Sequence, residues 1–335
     1  MRHATRTQIA YGINQQGRTG GNLTVKNITI SGGRAGAGAD CPFANICGGG
    51  ILNLGTLTLD GSQVINNVAV GSTGSDGAVV GGGIENEGTA TLASSKVSGN
   101  TAMNTGAGEG ISGGVDNVGT LTMSSSVVSS NDVSTSGGEA TGAGLDNFGD
   151  ASVTSSTFSS NTAINTGHGQ IRGVAIANAG TLTVTSSTLS GNTASAPGGD
   201  AAGGGLVNRA TLTLNSTVIS GNTVSAPGGT VTGGGIRTAL GGMTSLISST
   251  VRDNTASAPD GTVTGGGVFN GAGSTTSLTS SAVSGNTASA PGGSAAGGGI
   301  YNQAGTGSVT LIESAVASNT PDNCAPPGSV PGCSG

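Results

Sequence analysis

The chain has no tryptophan, only two tyrosines and four phenylalanines, and just 8% charged residues. So few large side chains cannot fill the single thick core that 335 residues normally build. No run approaches the roughly 20 apolar residues that a transmembrane helix needs, so no transmembrane segment is expected. Ten Lys and Arg stand against 16 Asp and Glu, a net charge of −6. Basic residues nowhere cluster or interleave with aromatics along a path that follows phosphates, so nucleic acid is not an expected partner. Met1 to Gln16 carry basic side chains but not the apolar stretch of a signal peptide.

What is abundant is glycine, 67 residues of it. Glycine-rich chain is often disordered, but here short aliphatic runs such as Leu57-Thr58-Leu59 return at fixed intervals. A Gly-Gly-Gly-aliphatic-x-Asn element is anchored at Ile51, Ile84, Val115, Leu145, Ile176, Leu206, Ile236, Val268 and Ile300, successive anchors being 30 to 33 residues apart. A second run places Leu59, Leu92, Met123, Val153, Val184, Leu214, Leu246, Leu278 and Leu311 at one position. A third does the same with Val64, Val97, Val128, Phe158, Leu189, Ile219, Val251, Val283 and Val316, and three residues after each stands an asparagine, from Asn67 to Asn319.

Three short runs of period two, separated by Gly, Ser or Asn, have apolar atoms on one side only and cannot bury themselves alone. Each repeat offers four or five aliphatics worth roughly 1.5–3 kcal/mol apiece, against about 1–2 kcal/mol per residue for ordering the backbone. Several repeats must therefore form together. The expected fold is all-β: a single-stranded right-handed parallel β-helix, or β-solenoid, of about ten coils with three short strands per coil. At about 4.8 Å per coil the rod is roughly 45 Å long. Residues 1–21 are expected to be a lead-in or part of a truncated cap, 22–319 the β-helix repeats, and 320–335 a Pro/Cys-rich tail. Ala-Pro-Gly-Gly or Ala-Pro-Asp-Gly recurs at 196–199, 226–229, 258–261 and 290–293 and predicts a column of turns. The asparagines are expected to form amide ladders between coils.

The GGGI-x-N and TLTL-x-x-S-x-x-SGNTA elements, as in Gly203 to Asn208 and Thr211 to Asn222, resemble repeat-rich right-handed β-helix proteins of bacterial surfaces and secretions. These include proteins with polymorphic outer-membrane-protein-like repeats, and the wider superfold is pectin-lyase-like. The resemblance covers about residues 22 to 333. It implies an extracellular or cell-surface protein, adhesin-like and in many relatives without assigned activity; lacking a leader, the chain is expected to be a fragment or mature form of a longer exported protein. Cys41 with Cys47 and Cys324 with Cys333 read as two local disulfides, with zinc as the competing reading; neither pair has metal-site spacing, and the two histidines are distant in sequence.

Several residues are candidates for chemistry. Glu85, Asp116 and Asp146 occupy one outward column in consecutive coils, where neighbouring carboxylates either raise one another's pKa, hold Ca²⁺, or form a solvated acidic stripe. Gly167-His168-Gly169 followed by Arg172 resembles an element of pectin-hydrolysing enzymes, although the other signatures of those enzymes are missing. An enzyme on acidic polysaccharide, a lyase or glycoside hydrolase, would draw on Asp116, Asp146, His168 and Arg172. Arg237, Phe269 and Tyr301 continue the same column as a cationic-aromatic patch for a glycan or cell-surface ligand. Thr56, Thr58, Thr89, Thr91, Thr120, Thr122, Thr181, Thr183, Thr211 and Thr213 form a grid resembling the Thr-x-Thr faces of ice-binding solenoids, interrupted at Asp150 and Met243. Apart from Ca²⁺ no cofactor is expected. The leading expectation is a non-enzymatic rod for adhesion, spacing or weak multivalent binding, with end-to-end or lateral self-association through exposed edges as a further partner.

Overall fold

The computed structural model describes residues 21–36, 46–71, 77–239, 241–303 and 307–333. Among them there is no helix; every named strand pairs in parallel with its counterpart one repeat away, which makes the protein a parallel β-solenoid. One turn shows the plan. An anchor strand, Ile176–Asn178, leads into the long strand Thr181–Thr185, a third strand Thr188–Ser190, a fourth Thr193–Ser195 and a fifth Ala201–Ala202. Each turn therefore carries up to five strands rather than the expected three, in three ten-stranded and two nine-stranded sheets. The two additional strands lie in the stretch between the ladder asparagine and the next glycine run, as segments of two to four residues.

The aliphatic columns stack in register as the spacing predicts. Ile176 pairs with Leu206, Val184 with Leu214 and Leu189 with Ile219, and all six are buried. These three faces enclose a core of large side chains, with Phe158 its bulkiest member. The fourth and fifth faces enclose a second, thinner core of small residues such as Ala163, Ala194, Val224 and Ala256.

Between the two cores the coil is pinched. At Gly83 a Cβ would come within 2.6 Å of the Gly114 carbonyl oxygen and 2.9 Å of Asn100 Nδ2. The glycine run thus lies directly against the opposite side of its own coil, and where it departs from glycine it does so with small buried residues such as Ala143 and Ala175. The asparagines line this waist as the ladder expects. Asn161 Nδ2 donates to Asn192 Oδ1 at 2.9 Å and to Val128 O at 3.2 Å, while its Oδ1 accepts from Asn131 Nδ2 at 3.1 Å and from the Asn131 main-chain N–H at 3.0 Å. A second ladder runs through Asn53, Asn86, Asn117, Asn147, Asn178 and Asn208. Serines make a third: the Ser126 N–H donates to Ser156 Oγ at 3.1 Å, and Ser156 Oγ donates to Thr154 O at 2.8 Å. The residue preceding each of these serines, such as Ser125 and Ser155, turns the corner with positive φ.

The tail joins the array. Cys324–Ala325 pairs with Ile300 and Tyr301 as the terminal strand of the anchor sheet, and Cys324 is disulfide-bonded to Cys333. Cys47 is also disulfide-bonded, and Cys41 lies outside the described residues.

Candidate binding trough

The waist has a consequence on the outside of the rod. Where the fifth strand bends into the anchor strand the surface is concave, and outward side chains of both strands converge. Gly142, at φ +52°, makes one such bend; a Cβ there would lie 2.8 Å from the Asp146 Cβ. The floor of the resulting trough is the column that begins with the acidic residues: Glu85, Asp116 and Asp146, then Ala177 and Val207, then Arg237, Phe269 and Tyr301, all in register.

The three carboxylates are therefore not a solvated stripe. Glu85 is 4% exposed, Asp116 2% and Asp146 3%. Strand alternation places them outward, and the concave bend then buries them. Burial is the main reason that Glu85 is raised from 4.5 to about 8, against the lowering effect of its hydrogen bond with Asp116; burial and then the charge of Glu85 push Asp116 well above the usual range. Among the described residues Glu85 Oε2 and Asp116 Oδ1 find no donor. A proton held between the two carboxyls supplies one. Asp146 is raised by burial to about 6, held down from a higher value by the Thr141 hydroxyl, which donates to its Oδ2 at 2.5 Å, and by the charge of Arg209. Among the described residues no group of three or more His, Cys, Asp or Glu side chains is arranged to hold a metal ion.

Beyond Asp146 the trough opens into a cleft of about 300 Å³. Ala177 and Val207 form its apolar floor, half-exposed Phe148 and Arg209 stand on one wall, and Glu109, Glu139, Thr141 and Arg172 stand on the other. Arg172 pairs with Glu139 and donates from Nε and Nη2 to Gln170 Oε1 at 3.1 and 2.6 Å. Further along, the Arg237 guanidinium carbon lies 5.9 Å from the centre of the Phe269 ring, and Phe269 stacks on Tyr301 with centroids 5.7 Å apart and planes within 3°.

The structure thus brings Asp146 and Arg172 into one cleft, with Asp116 buried one coil beyond, and places Arg237, Phe269 and Tyr301 in the same trough. His168 does not join them; it is exposed, with Nδ1 2.9 Å from Gly198 O. Phe148, Arg209 and Glu139 escape the sequence reading. Phe148 and Arg209 each follow a ladder asparagine, Asn147 or Asn208, and that shared offset is the signal that would have found them. On the long face the threonine rows are in register, Thr89 with Thr120 and Thr91 with Thr122, but Asp150 and Met243 stand in the same row as Thr181 and Thr211.

No protein-family model, curated protein or solved structure matches this chain. Among the described residues no helix is long and apolar enough to cross a membrane.

Proposed function

We propose that this protein is a non-enzymatic rod, secreted or displayed on a cell surface, that binds carbohydrate in the trough and uses its length for adhesion or spacing. The observation that carries this reading is the cleft beside Asp146, whose size, apolar floor, aromatic wall and polar rim suit a saccharide unit. The disulfide at Cys324 and Cys333 fits an oxidising, extracellular setting. The resemblance of the GGGI-x-N repeat to bacterial surface β-helices, adhesin-like and pectin-lyase-like ones included, supports the same assignment. The test is a glycan array probed with the full chain, read beside reducing-end and unsaturated-product assays on the bound glycans. Binding without turnover that Ala179→Trp blocks by filling the cleft upholds the proposal. Absence of any binding overturns it.

A second reading is favoured by one observation. The Asp146 carboxyl, raised to about 6 beside the cleft, is poised to donate a proton near mildly acidic pH. In that reading the protein cleaves an acidic polysaccharide, and product release abolished by Asp146→Asn would replace the non-enzymatic assignment.

A further inference from the structure

The middle of the trough contains a charge arrangement that the protein itself leaves incomplete. Arg172 lies on the fifth-strand wall, Arg209 on the opposite wall one coil later, and Arg237 on the floor one coil beyond that. The three feel one another. Burial is the largest influence lowering Arg172 and Arg237, followed by the charge of Arg209 on the first and of Arg172 and Arg209 on the second. Like charges gathered in a half-buried trough are unfavourable unless an anion joins them.

The carboxylates nearby do not fully provide one. Glu139 is engaged with Arg172, and Glu109 on the same wall adds its charge to Arg172 as well. Asp146 faces Arg209 but takes the Thr141 hydroxyl. Asp200 lies toward Arg237, yet its Oδ1 accepts the Thr230 N–H at 2.7 Å. Among the described residues neither Arg209 nor Arg237 has an ion pair within 4.0 Å. Arg237 Nε is buried without a partner among the described residues, and its side chain borders a second, smaller cavity of about 80 Å³ shared with Gln170, Asp200, Thr230 and Thr232.

On the reading that the trough binds carbohydrate, we infer that Arg172, Arg209 and Arg237 form a site for the carboxylate or sulfate group of an anionic saccharide, with the continuing chain packed against the half-buried Tyr301 ring. Guanidinium groups suit both anions because their paired N–H donors match the oxygen spacing of either. Phe269 has its stacking partner on one side and Arg237 on the other. Phe269 is buried between them, so the half-buried Tyr301 at the end of the stack gives the apolar surface to a sugar whose charged neighbour sits on the arginines. At the other end Glu85 and Asp116, holding a proton between them, present less negative charge to an anionic chain than two free carboxylates would.

The probes are dextran sulfate for a sulfated ligand, polygalacturonate for a carboxylated one and unmodified dextran as the neutral control, each titrated against the full chain by calorimetry. The expected result is binding of at least one anionic polymer but not dextran, weakening as salt is raised. Arg209→Gln and Arg237→Gln should each reduce affinity about tenfold, the size of one lost charge-assisted contact. Lys at either position should recover part of the loss, while the circular-dichroism melt stays cooperative. Preference between the two anionic polymers identifies which group is read. Glycan binding that persists equally on neutral polymers and ignores both Gln variants overturns the arginine site but leaves the trough reading standing. No binding to any polymer here or on the glycan array removes both.

Discussion

The hydroxyl groups of Thr238 and Thr244 lie 2.8 Å apart inside the rod, where the column of ladder asparagines is interrupted. Position 238 is the register equivalent of Asn208 and Asn270, and position 244 that of Leu212. The leucine column therefore turns polar where the amide is lost. Asn208 Nδ2 donates to Thr244 Oγ1 at 3.0 Å, and Thr276 Oγ1 donates to Asn270 Oδ1 at 2.9 Å, so the hydroxyls carry the hydrogen bonds across the gap.

Thr244→Leu restores the residue that Leu212 supplies one coil earlier, yet it should destabilise the protein by about 1–3 kcal/mol, because Thr238 would keep only Thr276 of its two hydroxyl partners and Asn208 would lose its bond to Thr244 in a buried site. Adding Thr238→Asn should recover most of that loss. Equal or higher stability of the single variant in urea denaturation would show that the hydroxyls do not bridge the ladder.

Stability should fall as pH rises. Glu85 is raised from 4.5 to about 8, so the protein favours its protonated form; that contribution is whole below about 4.5 and is lost as pH climbs through about 8, with Asp146 losing its part through about 6. Melting temperatures measured across this range should decline for the wild type and decline less for a Glu85→Gln, Asp116→Asn double variant. Parallel curves for the two proteins would contradict burial of the pair.

Leu212→Ala should cost about 2–5 kcal/mol, since the side chain is 1% exposed in the middle of the stack and its loss leaves a cavity. A change below about 0.5 kcal/mol in the same denaturation experiment would place that column outside the core.

Asn161→Ala removes an amide that both donates and accepts along the ladder and leaves the Asn131 amide and Val128 carbonyl without that partner. The expected loss is about 1–3 kcal/mol, and hydrogen exchange of the Asn131 N–H should speed up with it. Unchanged exchange at that amide would contradict the ladder.

Ice growth should be unaffected by the protein. The threonine rows of the long face are broken by Asp150 and by Met243, which is 56% exposed, so neither block presents an uninterrupted hydroxyl lattice. Measurable thermal hysteresis at high protein concentration would reverse this expectation.

The stacked columns were legible because inward residues such as Val184 and Leu214 recur at one offset, and strict alternation tells inside from outside along a strand. Alternation also explains what was missed. It calls Glu85, Asp116 and Asp146 outward, which they are, but whether an outward residue meets water depends on the bend of the whole coil, and that bend follows from glycines packing against the far side of the waist. The fourth and fifth strands were hidden for a related reason: segments as short as Ala201–Ala202 contain too few residues to show a period. The serine ladder through Ser126 and Ser156 could have been read, since its members recur two residues before the apolar residue of the third run, but serine in a Gly-rich stretch looks like turn material.

The amide ladders also give the rod an electrical direction. Main-chain N–H groups, such as that of Asn131 bonding Asn161 Oδ1, fix which end of each amide in the first ladder is oxygen, and both ladders donate toward the higher-numbered coil. Their dipoles add head to tail through successive coils, with the positive pole toward Asn319, whereas parallel sheets contribute little net moment of their own. A solenoid that looks alike in every repeat is in this respect a polar object, and two such rods in solution would differ in energy between head-to-tail and head-to-head alignment.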